Sequence, residues 1–158
     1  LVQRLLCNLS PQFMYGWRRF WLRLFGAEIG KKVLIRPSVK TVYPWKLKIG
    51  DFSWIGDDVS LYTLGEIEIG SHTVISQKCY ICTGSHDLAS PTFDIFARKI
   101  SIGNQVWLAS DVFVAPGVTI GDGVVVGARS TVLDDLPEGM VCYGNPAKPI
   151  RKRMENNY

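Results

Sequence analysis

The chain has 158 residues, with 18 Lys and Arg against 14 Asp and Glu, a formal net charge of +4 and 47% apolar residues. This suits one domain, residues 1–158, with a core of its own. It excludes a helical membrane span, which needs an apolar run of ~20 residues. No secretory leader is visible, and the modest charge fits a small anionic ligand at least as well as a nucleic acid, for which no motif is present. The first residue is Leu1, which leaves room for native residues before it.

Residues 1–27 read as a helical cap. Ser10-Pro11 predicts an N-cap followed by proline in the first turn. Phe13, Trp17, Phe20, Trp21 and Leu24 then recur at helical spacing, flanked by Arg18, Arg19 and Arg23, and Gly26 can end the helix. Such a helix can lie on an anionic membrane surface or close the open apolar end of a repeat array. The lid is the plainer expectation.

Residues 28–137 keep a six-residue beat. The residues opening each unit are Ile29, Ile35, Thr41, then Ile49, Ile55, Leu61, then Ile69, Ile75, Ile81, then Ile102, Leu108, Val114, then Ile120, Val126, Val132. A second small or apolar residue follows four positions later, as at Val33, Ser53, Thr73, Val106 and Val124. This is neither the helical period nor one long alternating strand; six is the period of a parallel β-helix. Every break in the beat follows the third unit of a triplet, at Thr41, Leu61 and Ile81, so insertions collect at one corner of a three-sided coil. Five triplets make about five coils. Gly30, Gly50, Gly70, Gly103 and Gly121 follow the first opener of each, where φ is positive or a Cβ would clash.

Cys79 and Cys82 form a CxxC inside the repeat, with Cys7 and Cys142 elsewhere. A zinc site would need about two more ligands, and a redox CxxC opens a helix beside a strand. Buried small residues in a reducing compartment are the simpler reading. The largest interruption, Asp87 to Ser101, begins just after His86 and forms a protruding loop 87–101. Long loops on a rigid scaffold often carry function. After Val132 the beat fades. Residues 138–158 pass a Gly-Asn-Pro turn into a basic tail with Lys148, Arg151, Lys152 and Arg153, expected to be short and helical, both solvating the terminus and meeting phosphates.

The hexads, "ISIGNQVWLASDVFVAPGVTIGDGVVVGARSTV" and "GNPAKPIRKR" together resemble the hexapeptide-repeat acyltransferases. "SPQFMYGWRRFWLRLFGAEIG", "YPWKLKIGDFSWIG" and "CTGSHDLASPTFD" are similar to the colanic-acid acetyltransferase branch, near the galactoside, maltose and nodulation-factor O-acetyltransferases. The likeness covers nearly the whole chain. It implies an all-β, left-handed parallel β-helix; the handedness comes from the resemblance alone, since it opposes the usual right-handed crossover. It also implies acetyl-CoA as co-substrate, a sugar hydroxyl as acceptor, and a homotrimer with active sites between neighbouring prisms.

On this resemblance His86 matches the catalytic histidine. A neutral imidazole can take a hydroxyl proton as the oxygen attacks a thioester, and an ordinary histidine pKa near ~6.5 leaves base at neutral pH. Asp87, Phe93 and Asp94 are candidate acceptor contacts. Trp107 would lie along the pantetheine, Ala109 and Ser110 would face the thioester with the Ser110 amide stabilising the oxyanion, and Gly127 and Ala128 would leave the arm room to pass. Lys148, Arg151 and Arg129 would meet phosphates. No metal is expected: a carbonic anhydrase on this fold needs three histidines, and only His72 and His86 are present. Two departures stand out. Leu133-Asp134 replaces a Thr-Lys pair that touches the cofactor in galactoside enzymes, and Gly56 replaces their acceptor-binding asparagine, so a simple galactoside is not the expected acceptor.

The expected activity is O-acetylation of a sugar of a surface polysaccharide or its precursor, in the cytoplasm or at the inner membrane face. N-acetylation, transfer of another acyl group, and a non-catalytic trimeric scaffold are the alternatives. The acceptor sugar and the position acylated stay open.

Overall fold

Stacking, not local propensity, builds this protein. The structure is a computed structural model that describes residues 10–153. Cys7 and the outer parts of the expected N-terminal cap and C-terminal tail lie outside the described residues. Short parallel strands form three flat faces. The first face stacks Glu28–Ile29, Leu47–Ile49, Ile67–Ile69, Ile100–Ile102 and Thr119–Ile120. The second stacks Leu34–Ile35, Trp54–Ile55, Val74–Ile75, Trp107–Leu108, Val125–Val126 and Met140–Gly144. The third stacks Lys40–Thr41, Ser60–Tyr62, Tyr80–Cys82, Phe113–Val114 and Thr131–Val132.

The openers align in register from coil to coil, for example Ile29↔Ile49↔Ile69↔Ile102↔Ile120. All fifteen are buried, and so are the second residues of the units. Each fully buried Ile or Leu contributes about 2–3 kcal/mol of apolar transfer, and no single coil could bury them alone. The expected five coils are a slight undercount. Leu136 bridges Ile120 on the first face, and Cys142 pairs with Val126 on the second, so a partial sixth coil follows.

The glycine after each first opener is required by space, not by handedness. A Cβ on Gly70 would sit 2.5 Å from the carbonyl carbon of Gly103. Positive φ falls two residues later instead, at Lys32, Phe52, His72 and Gln105. A second left-handed column, Asp58, Lys78, Asp111 and Arg129, marks the next corner.

The helix α1 spans Tyr15–Leu24. It begins later than Ser10-Pro11 predicts: Met14 N–H donates to the Pro11 carbonyl, closing a turn, and Ser10 Oγ instead accepts from Arg18 at 2.8 Å. The helix packs on the first coil, but the aromatic residues do not form its inner side. Arg18 and Leu22 are buried against the first coil, while Phe13, Phe20 and Leu24 face outward.

The reason lies in the backbone. In later coils the Ile49, Ser53 and Ile55 carbonyls accept N–H groups from the preceding coil. Among the described residues no coil precedes the first, and arginines take that place. Arg23 donates to Ile29 O at 2.9 and 2.6 Å, Arg19 to Val33 O at 2.8 Å, and Arg18 to Ile35 O at 2.6 Å.

As far as Arg153, the last described residue, the C-terminal segment is not helical. Met140–Gly144 and Ala147–Lys152 form an antiparallel hairpin on the edge of the second face. Pro146 and Pro149 explain the correction, because neither can donate within a helix and Pro149 would break its first turns. A strand at a sheet edge tolerates proline.

Replacing Arg18 by Ala would strip a 1%-exposed side chain from the Ile35, Pro11 and Gln12 carbonyls. A loss of about 2–4 kcal/mol is expected in guanidinium unfolding.

Candidate functional site

Buried threonines prepare the insertion corner. Where the chain leaves the hexad, Thr63 Oγ1 accepts the Tyr43 N–H at 2.7 Å, and Thr83 Oγ1 accepts the Gly65 N–H at 2.8 Å while donating to the Tyr62 carbonyl at 2.6 Å. Both threonines are fully buried. From this anchored corner an antiparallel hairpin projects, pairing Gly84–His86 with Ile95–Ala97. The arm therefore starts before the expected loop 87–101 and ends earlier. Its return is pinned by Arg98 N–H on the Thr83 carbonyl (2.8 Å) and Ile100 N–H on the Glu66 carbonyl (3.0 Å).

His86 ends the first arm strand and is exposed. Its Nδ1 lies 2.5 Å from the Phe93 carbonyl oxygen. A carbonyl can only accept, so Nδ1 carries the proton and Nε2 keeps a free lone pair in the neutral ring. Phe93 aims that carbonyl from a left-handed conformation, φ 50°, unusual for a bulky residue. Strain of this kind clusters at functional sites.

The rest of the tip is a polar knot. Asp94 accepts from Ser90 Oγ at 2.8 Å and from Thr92 Oγ1 at 2.7 Å, and those two hydroxyl contacts, Thr92 first, hold its carboxyl below the usual range. A depressed carboxyl stabilises the fold above its unfolded value near ~3.9 and loses that effect as pH falls through the lower folded value. The knot is thus intact throughout the neutral range. Asp87 Oδ1 accepts the Ala89 N–H at 2.9 Å and its backbone N–H reaches the Asp94 carbonyl. Asp87 and Asp94 hold the turn that supports His86, rather than the ring itself. The support given by the Phe93 backbone, by Ser90 and by Thr92 was missed in the sequence; the Ser-Pro-Thr-Phe-Asp run was its only trace.

The expected donor residues sit along a different corner. Trp107 is half exposed on the second face, with its indole N–H on Ser76 Oγ at 3.0 Å. The Ala109 N–H is taken by the Val126 carbonyl, whereas the Ser110 N–H has no acceptor among the described residues. Gly127 occupies the next rung, where a Cβ would meet Tyr143 Cβ at 2.8 Å, so the hairpin alone demands glycine there. Ala128 and Arg129 follow, both exposed, and Arg129 Nε lies 3.6 Å from Asp111. Lys148 pairs with Asp134 at 3.0 Å, which gives the departure at Asp134 a local partner. Arg151 is exposed on the terminal hairpin, and its guanidinium contacts the Lys152 carbonyl at 3.3 Å.

These two groups do not meet within one protomer. The donor corner follows the second face, and His86 follows the third, so the whole third face separates them. That face carries a half-buried ring ladder, Tyr62–Tyr80 at 6.1 Å and Tyr80–Phe113 at 5.9 Å.

The other titratable groups raised by the sequence lie apart. His72 stacks on Phe52 at 5.0 Å. Cys79 faces the core with its Sγ on the Ala109 carbonyl, and burial pushes its thiol up to about 11, while Cys82 turns to the Gly84 carbonyl. Among the described residues no group of three His, Cys, Asp or Glu is gathered for a metal.

A family model described as bacterial transferase hexapeptide (six repeats) matches residues 99–134. A relative in Escherichia coli (strain K12), named for acetyl transfer in colanic acid biosynthesis, is 66% identical over 154 residues, covering 98% of this chain and 85% of its own. A solved maltose O-acetyltransferase from Clostridium difficile 630 superposes with a TM-score of 0.89 at 28% identity, covering 98% of this chain and 83% of the other. An acetyltransferase from Vibrio cholerae O1 biovar eltor complexed with acetyl coenzyme A gives 0.86 at 26% identity, covering 97% and 84%.

Nitrogen-detected NMR of neutral His86 should show the proton on Nδ1, the minor tautomer of a free imidazole. Phe93→Pro, which cannot adopt positive φ, should return the ring to a tautomer mixture. A wild-type ring protonated on Nε2 would contradict the assigned contact.

Proposed function

The chain belongs to the hexapeptide-repeat acetyltransferases, and from that premise we propose that it moves an acetyl group from acetyl-CoA to a hydroxyl of a sugar in a surface polysaccharide or its precursor. The contact between His86 Nδ1 and the Phe93 carbonyl carries this reading. It leaves Nε2 as a base at the tip of a rigid arm. His86 takes the proton of the acceptor hydroxyl as that oxygen bonds to the acetyl carbonyl carbon. The Ser110 N–H, free of an acceptor among the described residues, supports the charge developing on the carbonyl oxygen. The carbon–sulfur bond then breaks, and His86 returns the proton to the departing thiolate. The products are an O-acetyl sugar and free CoA, with no acyl-enzyme.

The site requires a second protomer, and a homotrimer is the assembly proposed. The three faces differ in a way that supports it. The first carries a charge ladder, Glu28–Lys48–Glu68–Lys99, with contacts of 3.2, 3.8 and 2.7 Å, suited to solvent. The second exposes Trp54 and Trp107, the third its ring ladder, and the arm exposes Leu88 and Ile95. Packing the third face or the arm against a neighbour brings the His86 of one protomer towards the donor corner of another. Trp107, Ala109, Ser110, Gly127 and Ala128 line that corner, with Arg129, Lys148 and Arg151 near it for the phosphates of the donor. Phe93 and Asp94 shape the acceptor side through the arm, and Asp87 holds its turn. The Escherichia coli relative's name supports the polysaccharide acceptor class.

His86→Ala should lower kcat by about 10²–10⁴-fold with acetyl-CoA affinity by calorimetry nearly unchanged. Unchanged turnover on an acceptor identified by free-CoA release would remove His86 from the mechanism.

A further inference from the structure

The capped end of the solenoid carries a second surface that acetyl transfer does not use. The arginines of α1 are turned inward to the first coil. The opposite side of the helix presents Phe20 and Leu24, 55% and 61% exposed, beside Trp17 and the preceding Phe13 at 39% and 79%. Trp21 ties Trp17 and Phe20 into one patch, edge-on to Trp17 at 5.4 Å and to Phe20 at 5.5 Å. Contiguous exposed rings of this kind mark an interaction site.

Charge selects the partner. Residues 1–50 carry ten Lys and Arg against one acidic residue, Glu28, whereas residues 51–158 carry eight against thirteen. The chain is therefore formally +9 in its first third and −5 in the remainder, a polarity that the modest overall +4 conceals. Lys31, Lys32 and Lys40 are exposed on the first coil, the one that α1 covers. Two copies meeting by this end would set like charge against like charge. A surface that is negative outside and apolar just beneath complements it instead, and that is the interface of an anionic bilayer.

We infer that the α1 end docks on an anionic membrane surface, its aromatic side seated among the headgroups and the first-coil lysines over lipid phosphates. The arginine capping makes this possible: hydrogen bonding to the solenoid holds the helix so that its apolar side must face away. The docked end is distinct from the arm and the donor corner, so the inference stands apart from the catalytic reading.

The test is sedimentation of the full chain with vesicles of phosphatidylcholine alone or mixed with phosphatidylglycerol. Binding to the mixed vesicles should fall as salt rises and be weak on phosphatidylcholine. Phe20→Ser/Leu24→Ser should reduce binding by about tenfold or more, with melting temperature and oligomeric mass unchanged. Lys31→Glu/Lys32→Glu should reduce it independently of the aromatic pair. No binding to mixed vesicles at low salt, or binding indifferent to both double variants, would overturn the inference. So would a fall in oligomeric mass in the aromatic variant, which would assign the patch to a contact between copies.

Discussion

A coil in a parallel solenoid can satisfy its backbone only through its neighbours. Inside the stack this is automatic, because each N–H and carbonyl finds the next rung. At the two ends it is not, and much of what is irregular here answers that constraint. At the start, Arg18, Arg19 and Arg23 supply the donors that a preceding coil would have supplied. At the other end, the chain adds a partial sixth coil and extends the edge of the second face with a hairpin. The outer strand of that hairpin contains Pro149 and the charges of Lys148, Arg151 and Lys152, which blunt an edge that could otherwise pair with another sheet.

The same rigidity explains how one histidine can be aimed from a long insertion. The corner that releases the arm is locked by Thr63 and Thr83, buried hydroxyls that take over the hydrogen bonds lost when the hexad breaks. The arm pairs with itself as a hairpin, and the Ser90–Thr92–Asp94 knot closes its tip. His86 therefore depends on a chain of contacts running back to the core, ending in the carbonyl of a strained Phe93.

The interior of the solenoid was legible in the sequence, because the openers point inward once every six residues within each triplet. The ends were less so. The step from Val132 to Leu136 is four residues and Cys142 is not aliphatic, so the sixth coil hid behind a broken period. The basic tail was expected to be helical, yet its prolines and the open sheet edge dictated a strand. In α1 the aromatic period was plain, but burial went to Arg18, since unpaired carbonyls need donors more than the coil end needs rings. His86 and the donor residues were legible as types. Their separation by the third face follows from the triplet register, since Ala109 and Ser110 come after a second opener and His86 after a third. The Phe93 carbonyl left no side-chain signal.

One frame thus produces two ends and three unlike faces, and the proposed function divides among them: His86 on the arm as the base, the donor on the corner beyond the ring ladder, and the charge ladder left to solvent. The acetyltransferase reading depends on the arm of one protomer closing over the donor corner of another. The most direct measurement is a crystal structure of the assembled protein with bound acetyl-CoA. The account predicts the thioester beside the Ser110 amide of one protomer, with His86 Nε2 of its neighbour about 3 Å from where an attacking hydroxyl would sit. A thioester bound with no His86 from any protomer within reach would contradict it.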